Sequence, residues 1–148
     1  MKAQIYELAD QYESVRADMP SGGPRTRKMN EIAAGMRTLA LAGLPLRTTL
    51  TKSETAGRRL AAICMLQVEP RLRYFRWLID RLKTEDQAFI LFQATLAIRE
   101  LVKKRLYLNA DETRVAINDA ISVISAFQGG PPDQNTLDVL NEALELLK

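Results

Sequence analysis

Apolar residues return every three or four positions along nearly the whole chain, the spacing of amphipathic helices. Ile5, Leu8, Tyr12, Val15 and Met19 form the first stripe and predict a helix over residues 2–18. Pro20 closes it, because its ring excludes a continuing helix. Ser21-Gly22-Gly23 makes a turn, and Pro24 suits a first helical position, where its missing N–H costs nothing. Met29, Ile32, Met36 and Leu39 predict a second helix, ending around Ala42-Gly43 ahead of Pro45. Two stripes joined by a short turn predict a helical hairpin over residues 1–43.

Residues 46–50 read as a β-leaning connector, too short and isolated for a sheet. Thr51-Lys52-Ser53-Glu54 has the spacing of a capping box and predicts a third helix carrying Leu60, Ile63, Cys64 and Leu66. Gly57 in its first turns costs about 1 kcal/mol against alanine, which a close helix crossing would justify. Pro70 restarts the chain, and Leu72, Phe75, Leu78, Ile79 and Leu82 predict a fourth helix with Tyr74 and Trp77 beside the stripe. Thr84-x-x-Gln87, a second capping box, predicts a fifth helix from about Asp86. Phe89, Phe92, Leu96, Ile98, Leu101 and Val102, with alanines between, make it apolar over most of its circumference, as befits a central helix. Asn109-x-x-Glu112 opens a sixth, with Val115, Ile117, Ala120, Ile121 and Ile124. Gly129-Gly130-Pro131-Pro132 is the clearest linker, after which Asp133 caps a last helix with the narrow stripe Leu137, Leu140, Leu144 and Leu147. No strand pattern emerges. The expected fold is all-α, with about seven antiparallel helices in a compact bundle. It forms one domain over 1–148: the 1–43 hairpin, central helices over 51–128 and a C-terminal helix over 133–148. The likeness of AGRRLAAI and ATLAIREL admits HEAT-like helical hairpins.

Composition removes most chemistry. The 148 residues are 47% apolar and 26% charged, an ordinary globular balance. No apolar run approaches the roughly 18 residues of a membrane span. The amphipathic, acid-bearing N-terminus resembles neither a signal nor a transit peptide, so a cytoplasmic location and no membrane partner are expected. With no histidine, Ser-His-Asp and Cys-His catalysis and His-containing zinc sites fall away. Cys64, the single cysteine, allows no internal disulfide and reads as a small core residue. Asp111 with Glu112, and Glu142 with Glu145, read as solvated surface. No catalytic, cofactor-binding or metal-binding residue is therefore expected. The net charge of +3 conceals a polarity: residues 16–83 carry 14 Lys and Arg against 5 Asp and Glu. Such a basic middle can guide an acidic partner or a second copy.

Two clusters carry that charge. Arg25, Arg27 and Lys28 follow the Ser21-Gly22-Gly23 turn at a helix N-terminus, where the dipole favours anions. The stretch lacks the P-loop pattern and a preceding strand. The cations and helix amides could hold an anion; the arginines could instead pair with acids elsewhere around a solvated turn; or Arg25 and Thr26 fix the turn while Arg27 and Lys28 stay exposed for a partner. Arg73, Arg76 and Lys83 share a face by their spacings of three and seven, beside Tyr74 and Trp77. No helix-turn-helix with a polar recognition helix accompanies them. Arg73, Arg76 and Trp77 join Arg25, Arg27 and Lys28 as candidate docking residues. The leucine stripe of the last helix either packs at home or swaps onto a second copy, giving a homo-oligomer.

The run Tyr12-Glu13 … Arg16 … Met19-Pro20-Ser21-Gly22 … Arg25-Thr26 … Met29 … Ile32 … Met36-Arg37 … Leu39-Ala40 resembles a helical segment of large bacterial multidomain proteins. Ala56-Gly57-Arg58-Arg59-Leu60-Ala61-Ala62-Ile63 … Leu66-Gln67 … Pro70 … Trp77-Leu78 … Arg81-Leu82 resembles its second part. Together they cover about half the chain. These segments are the effector-associated or adaptor domains of bacterial conflict and signalling proteins, which accompany TIR, caspase-like, trypsin-like and NTPase modules. Where they often carry a Gly-Tyr-His-like spot, this chain reads Ile90-Leu91-Phe92-Gln93, so no residue role is carried over. The resemblance implies a non-catalytic module that couples an effector domain, fused or separate, to a protein partner. The rival expectation is nucleic-acid binding through the basic region 16–83.

Overall fold

A computed structural model describes residues 2–126 and 133–148, and all its regular structure among them is helical. The expected Gly129-Gly130-Pro131-Pro132 linker lies outside the described residues. The chain divides into two compact units, residues 1–69 and 70–148.

In the first unit α1 (Lys2–Asp18) and α2 (Gly23–Thr38) form the expected hairpin, with Ile5, Tyr12, Met29, Ile32 and Met36 buried. α2 stops at Thr38, short of the expected end, and the chain restarts as the single turn α3 (Ala40–Gly43). The supposed β-leaning connector is a correction: it is helical, a 3-10 turn at Leu44–Leu46 followed by α4 (Arg47–Thr51). Tertiary contacts override the preference of its threonines. Leu50 is fully buried, and Arg47 donates to the Glu69 carbonyl (2.9 Å) at the far end of the next helix.

That helix is α5 (Ala56–Val68), the centre of the unit, packed by α1, α2, α3 and α4. Every residue from 60 to 66 is fully buried. The expected capping box at 51–54 does not cap it. Ser53 Oγ instead accepts from the Thr55 N–H (3.1 Å), and the helix begins at Ala56. Its cap comes from another helix: the Glu13 carboxylate on α1 accepts the Gly57 N–H at 2.7 Å. A carboxylate there also suits the helix dipole. Gly57 is the expected close crossing, since a Cβ on it would run into the Ala9 carbonyl oxygen of α1.

The second unit comprises a 3-10 turn at Leu72–Tyr74, α6 (Phe75–Thr84), α7 (Ala88–Lys103), α8 (Ala110–Ser125) and α9 (Gln134–Leu146). α7 is central, as expected, and packs on α6 and α9. The Thr84 capping box is corrected too. Thr84 stays inside α6, donating its hydroxyl to the Asp80 carbonyl (2.7 Å), and Gln87 precedes α7 without a side-chain cap. Asn109 and Asp133 cap as expected: Asn109 Oδ1 accepts from the Glu112 N–H at 3.0 Å, and Asp133 Oδ1 from the Asn135 N–H at 3.4 Å. The leucine stripe of α9 is only half the buried face. Thr136, Val139, Leu140, Ala143 and Leu147 are buried, whereas Leu137 and Leu144 are half-buried. The helix meets both α7 and α8, so its covered face is broader than the stripe. It packs at home, tied by Arg99 to Glu142 (3.0 Å) and by Arg114 to the Leu147 carbonyl (3.0 Å).

α7 ends in a Schellman motif: Leu106 N–H donates to Leu101 and Arg105 N–H to Val102. The left-handed position is held by Arg105 at φ 57°, where glycine is the usual occupant. Arg105→Gly is expected to raise stability by about 1 kcal/mol, because the left-handed Cβ penalty disappears. A higher urea midpoint at unchanged slope checks this.

Candidate docking site

The candidate residues fall into two groups, one in each unit. In the first, Gly22 holds φ 146° and ψ −176°, a backbone region that side chains rarely adopt, so glycine is needed there. Thr26 N–H closes the first turn of α2 on the Gly22 carbonyl (3.1 Å). Arg25 is half-buried and donates Nη1 to the Met19 carbonyl at 3.3 Å. Met19 follows the last residue of α1, so this cation lies at the negative end of one helix although it belongs to the positive end of another. That relieves the dipole conflict.

Arg27 and Lys28 are exposed. A Cβ on Gly23 would stand 3.3 Å from Arg27 Nη1, so the Arg27 guanidinium folds back over the turn. Lys28 reaches Glu31 at 3.6 Å with both side chains more than half exposed, a pairing worth a fraction of 1 kcal/mol, about 0.3–0.5 kcal/mol for such helix neighbours. Arg25 is thus a turn lock, and Arg27 and Lys28 are its accessible charges.

In the second unit Arg73 is exposed with its guanidinium 5.1 Å from the centre of the Tyr74 ring. Trp77 is half-buried beneath Arg81, whose guanidinium lies 5.1 Å from its ring centre. Arg81 also pairs with the buried Glu85 at 3.1 Å. Arg76 opens onto a shallow groove between α6 and α8, lined by Asp111, Glu112, Val115, Ala116 and Asp119. Lys83, one heptad on, donates to Asp119 at 2.7 Å. That hydrogen bond, with the ammonium charge, holds the Asp119 carboxyl below its usual range.

The expected basic stripe on α6 therefore meets acids on its own chain. The sequence does carry a signal for this pairing: Arg76 and Lys83 are seven apart, and so are Glu112 and Asp119. Glu13, the remote cap of α5, is announced by no local spacing.

Cys64 is buried, and burial pushes its thiol up to about 12 although the Arg37 guanidinium acts the other way. A thiol held that far above neutral pH is a poor nucleophile. Among the described residues no group of three or more His, Cys, Asp or Glu could hold a metal ion, and no helix is long and apolar enough to cross a membrane. Comparisons with protein-family models, curated proteins and solved structures return no match.

Proposed function

We propose that this chain is a non-catalytic interaction module of the effector-associated, adaptor kind, coupling an effector or signalling domain to a protein partner in the bacterial cytoplasm. The observation that carries the reading is the division of labour at the start of α2. Arg25 is tied to the Met19 carbonyl, and beside it Arg27 and Lys28 are left exposed on a turn fixed by Gly22. Charges on a rigid support steer and orient an acidic partner at small entropic cost. Nucleic-acid binding is the weaker reading, because the α6 cations it needs face acids: Lys83 holds Asp119, and Arg76 shares its groove with three carboxylates.

Charge reversal tests the proposal. The double change Arg27→Glu and Lys28→Glu is expected to leave the far-ultraviolet circular dichroism unchanged. Binding to the effector domain fused to it or encoded beside it, measured by titration calorimetry, is expected to weaken about tenfold, with a smaller salt dependence. Unaltered affinity would mean that the turn is structural only.

A further inference from the structure

A second surface, in the 70–148 unit, goes beyond the docking reading. α6 and α8 run parallel: Arg76 faces the first turns of α8, and Lys83, two turns later, reaches Asp119. α7 joins them through residues 85–87 and 104–109 and so runs the other way. The start of α6, the end of α7 and the start of α8 therefore share one end of the unit.

That end is cationic and apolar together. Arg71, Arg73, Lys103, Lys104 and Arg105 are exposed there. Leu72 is exposed, and Leu108 has 92% of its surface in water. Three acids lie nearby: Glu100, a loose 4.0 Å from the exposed Lys103, Asp111, held by Arg114, and Glu112, so the cations still outnumber them. The helix dipole accounts for cations at the end of α7. It does not account for a fully exposed leucine beside them, nor for arginine at the left-handed position that suits glycine.

We propose that this end of the unit rests on an anionic membrane surface. Leu108 enters the boundary between headgroups and acyl chains, while Lys103, Lys104, Arg105 and Arg73 lie among the acidic headgroups. A leucine this exposed has no walls around it. A protein partner would have to supply the whole pocket, whereas a bilayer accepts the side chain without one. The cations come from separate segments and spread over an end, which suits a charged plane. Such contact needs no spanning helix.

The test is co-sedimentation of the full chain with vesicles of phosphatidylcholine containing phosphatidylserine, against vesicles of phosphatidylcholine alone and against polyglutamate. Binding is expected only where phosphatidylserine is present among the vesicles, and salt should reverse it. Arg105→Gly should weaken it about fivefold, the effect of one cation lost near the surface, in a protein whose fold is if anything firmer. Leu108→Ser should weaken it about tenfold. No sedimentation with phosphatidylserine vesicles at low salt overturns the proposal, as does binding that neither variant alters. Capture by polyglutamate without vesicle binding also overturns it and assigns the surface to an acidic protein.

Discussion

Gly57→Ala is expected to lower stability by about 3 kcal/mol, the upper end of what overpacking usually costs. In an ordinary helix interior the same change gains about 1 kcal/mol, so the sign is diagnostic. The reason is what the added carbon meets. A Cβ on Gly57 would strike the carbonyl oxygen and carbon of Ala9, which are backbone and cannot turn aside. α1 and α5 would have to separate, and the Glu13 carboxylate would lose its 2.7 Å hold on the Gly57 N–H. Gly35 supplies the contrast, for a Cβ there meets only the mobile tip of Leu8 at 3.3 Å. A urea midpoint that falls steeply for Gly57→Ala and moves little for Gly35→Ala confirms the crossing. A gain at Gly57 refutes it.

Arg81→Ala is expected to cost about 3 kcal/mol, because a buried carboxylate loses the guanidinium that faces it. The Glu85 side chain is 2% exposed, and Arg81 reaches it across one helical turn at 3.1 Å. The same guanidinium covers Trp77, so packing is lost with the charge. Removing both partners is expected to do less harm than removing Arg81 alone, since the buried charge then goes with its counter-charge. Chemical denaturation of wild type, Arg81→Ala, Glu85→Ala and the double variant closes the cycle. A double-variant loss equal to the sum of the two single losses would show that the ion pair contributes nothing beyond packing.

The helical periods were legible because each helix has a face that must be buried, and that need writes itself into the chain at intervals of three and four. Asn109 and Asp133 were legible for a similar reason: a cap satisfied by the next few N–H groups is a local event. Misreadings arose where a remote group overrode local spacing. Glu13 caps α5 from 44 residues away, which makes the Thr51–Glu54 pattern redundant. Arg47 and Leu50 are held by burial, so their threonine neighbours become helical against preference.

The candidate site was legible in part. The exposure of Arg27, Lys28, Arg73 and Arg76 accords with their polar positions in the pattern. The tie of Arg25 to the carbonyl at the end of α1 depends on how two helices meet, which spacing along the chain does not give. The acids facing Arg76 and Lys83 belong to a helix 35 residues later in the chain, and periodicity within one helix says nothing about which neighbour it meets.

The chain has one tryptophan and one cysteine, and they fall in different units: Trp77 in residues 70–148, Cys64 in residues 1–69. Indole fluorescence therefore reports the melting of one unit, and labelling of a thiol sealed in the native state reports the opening of the other. Wild-type protein thus carries two independent reporters, and whether the halves come apart together or in succession can be read without adding a dye or a label site.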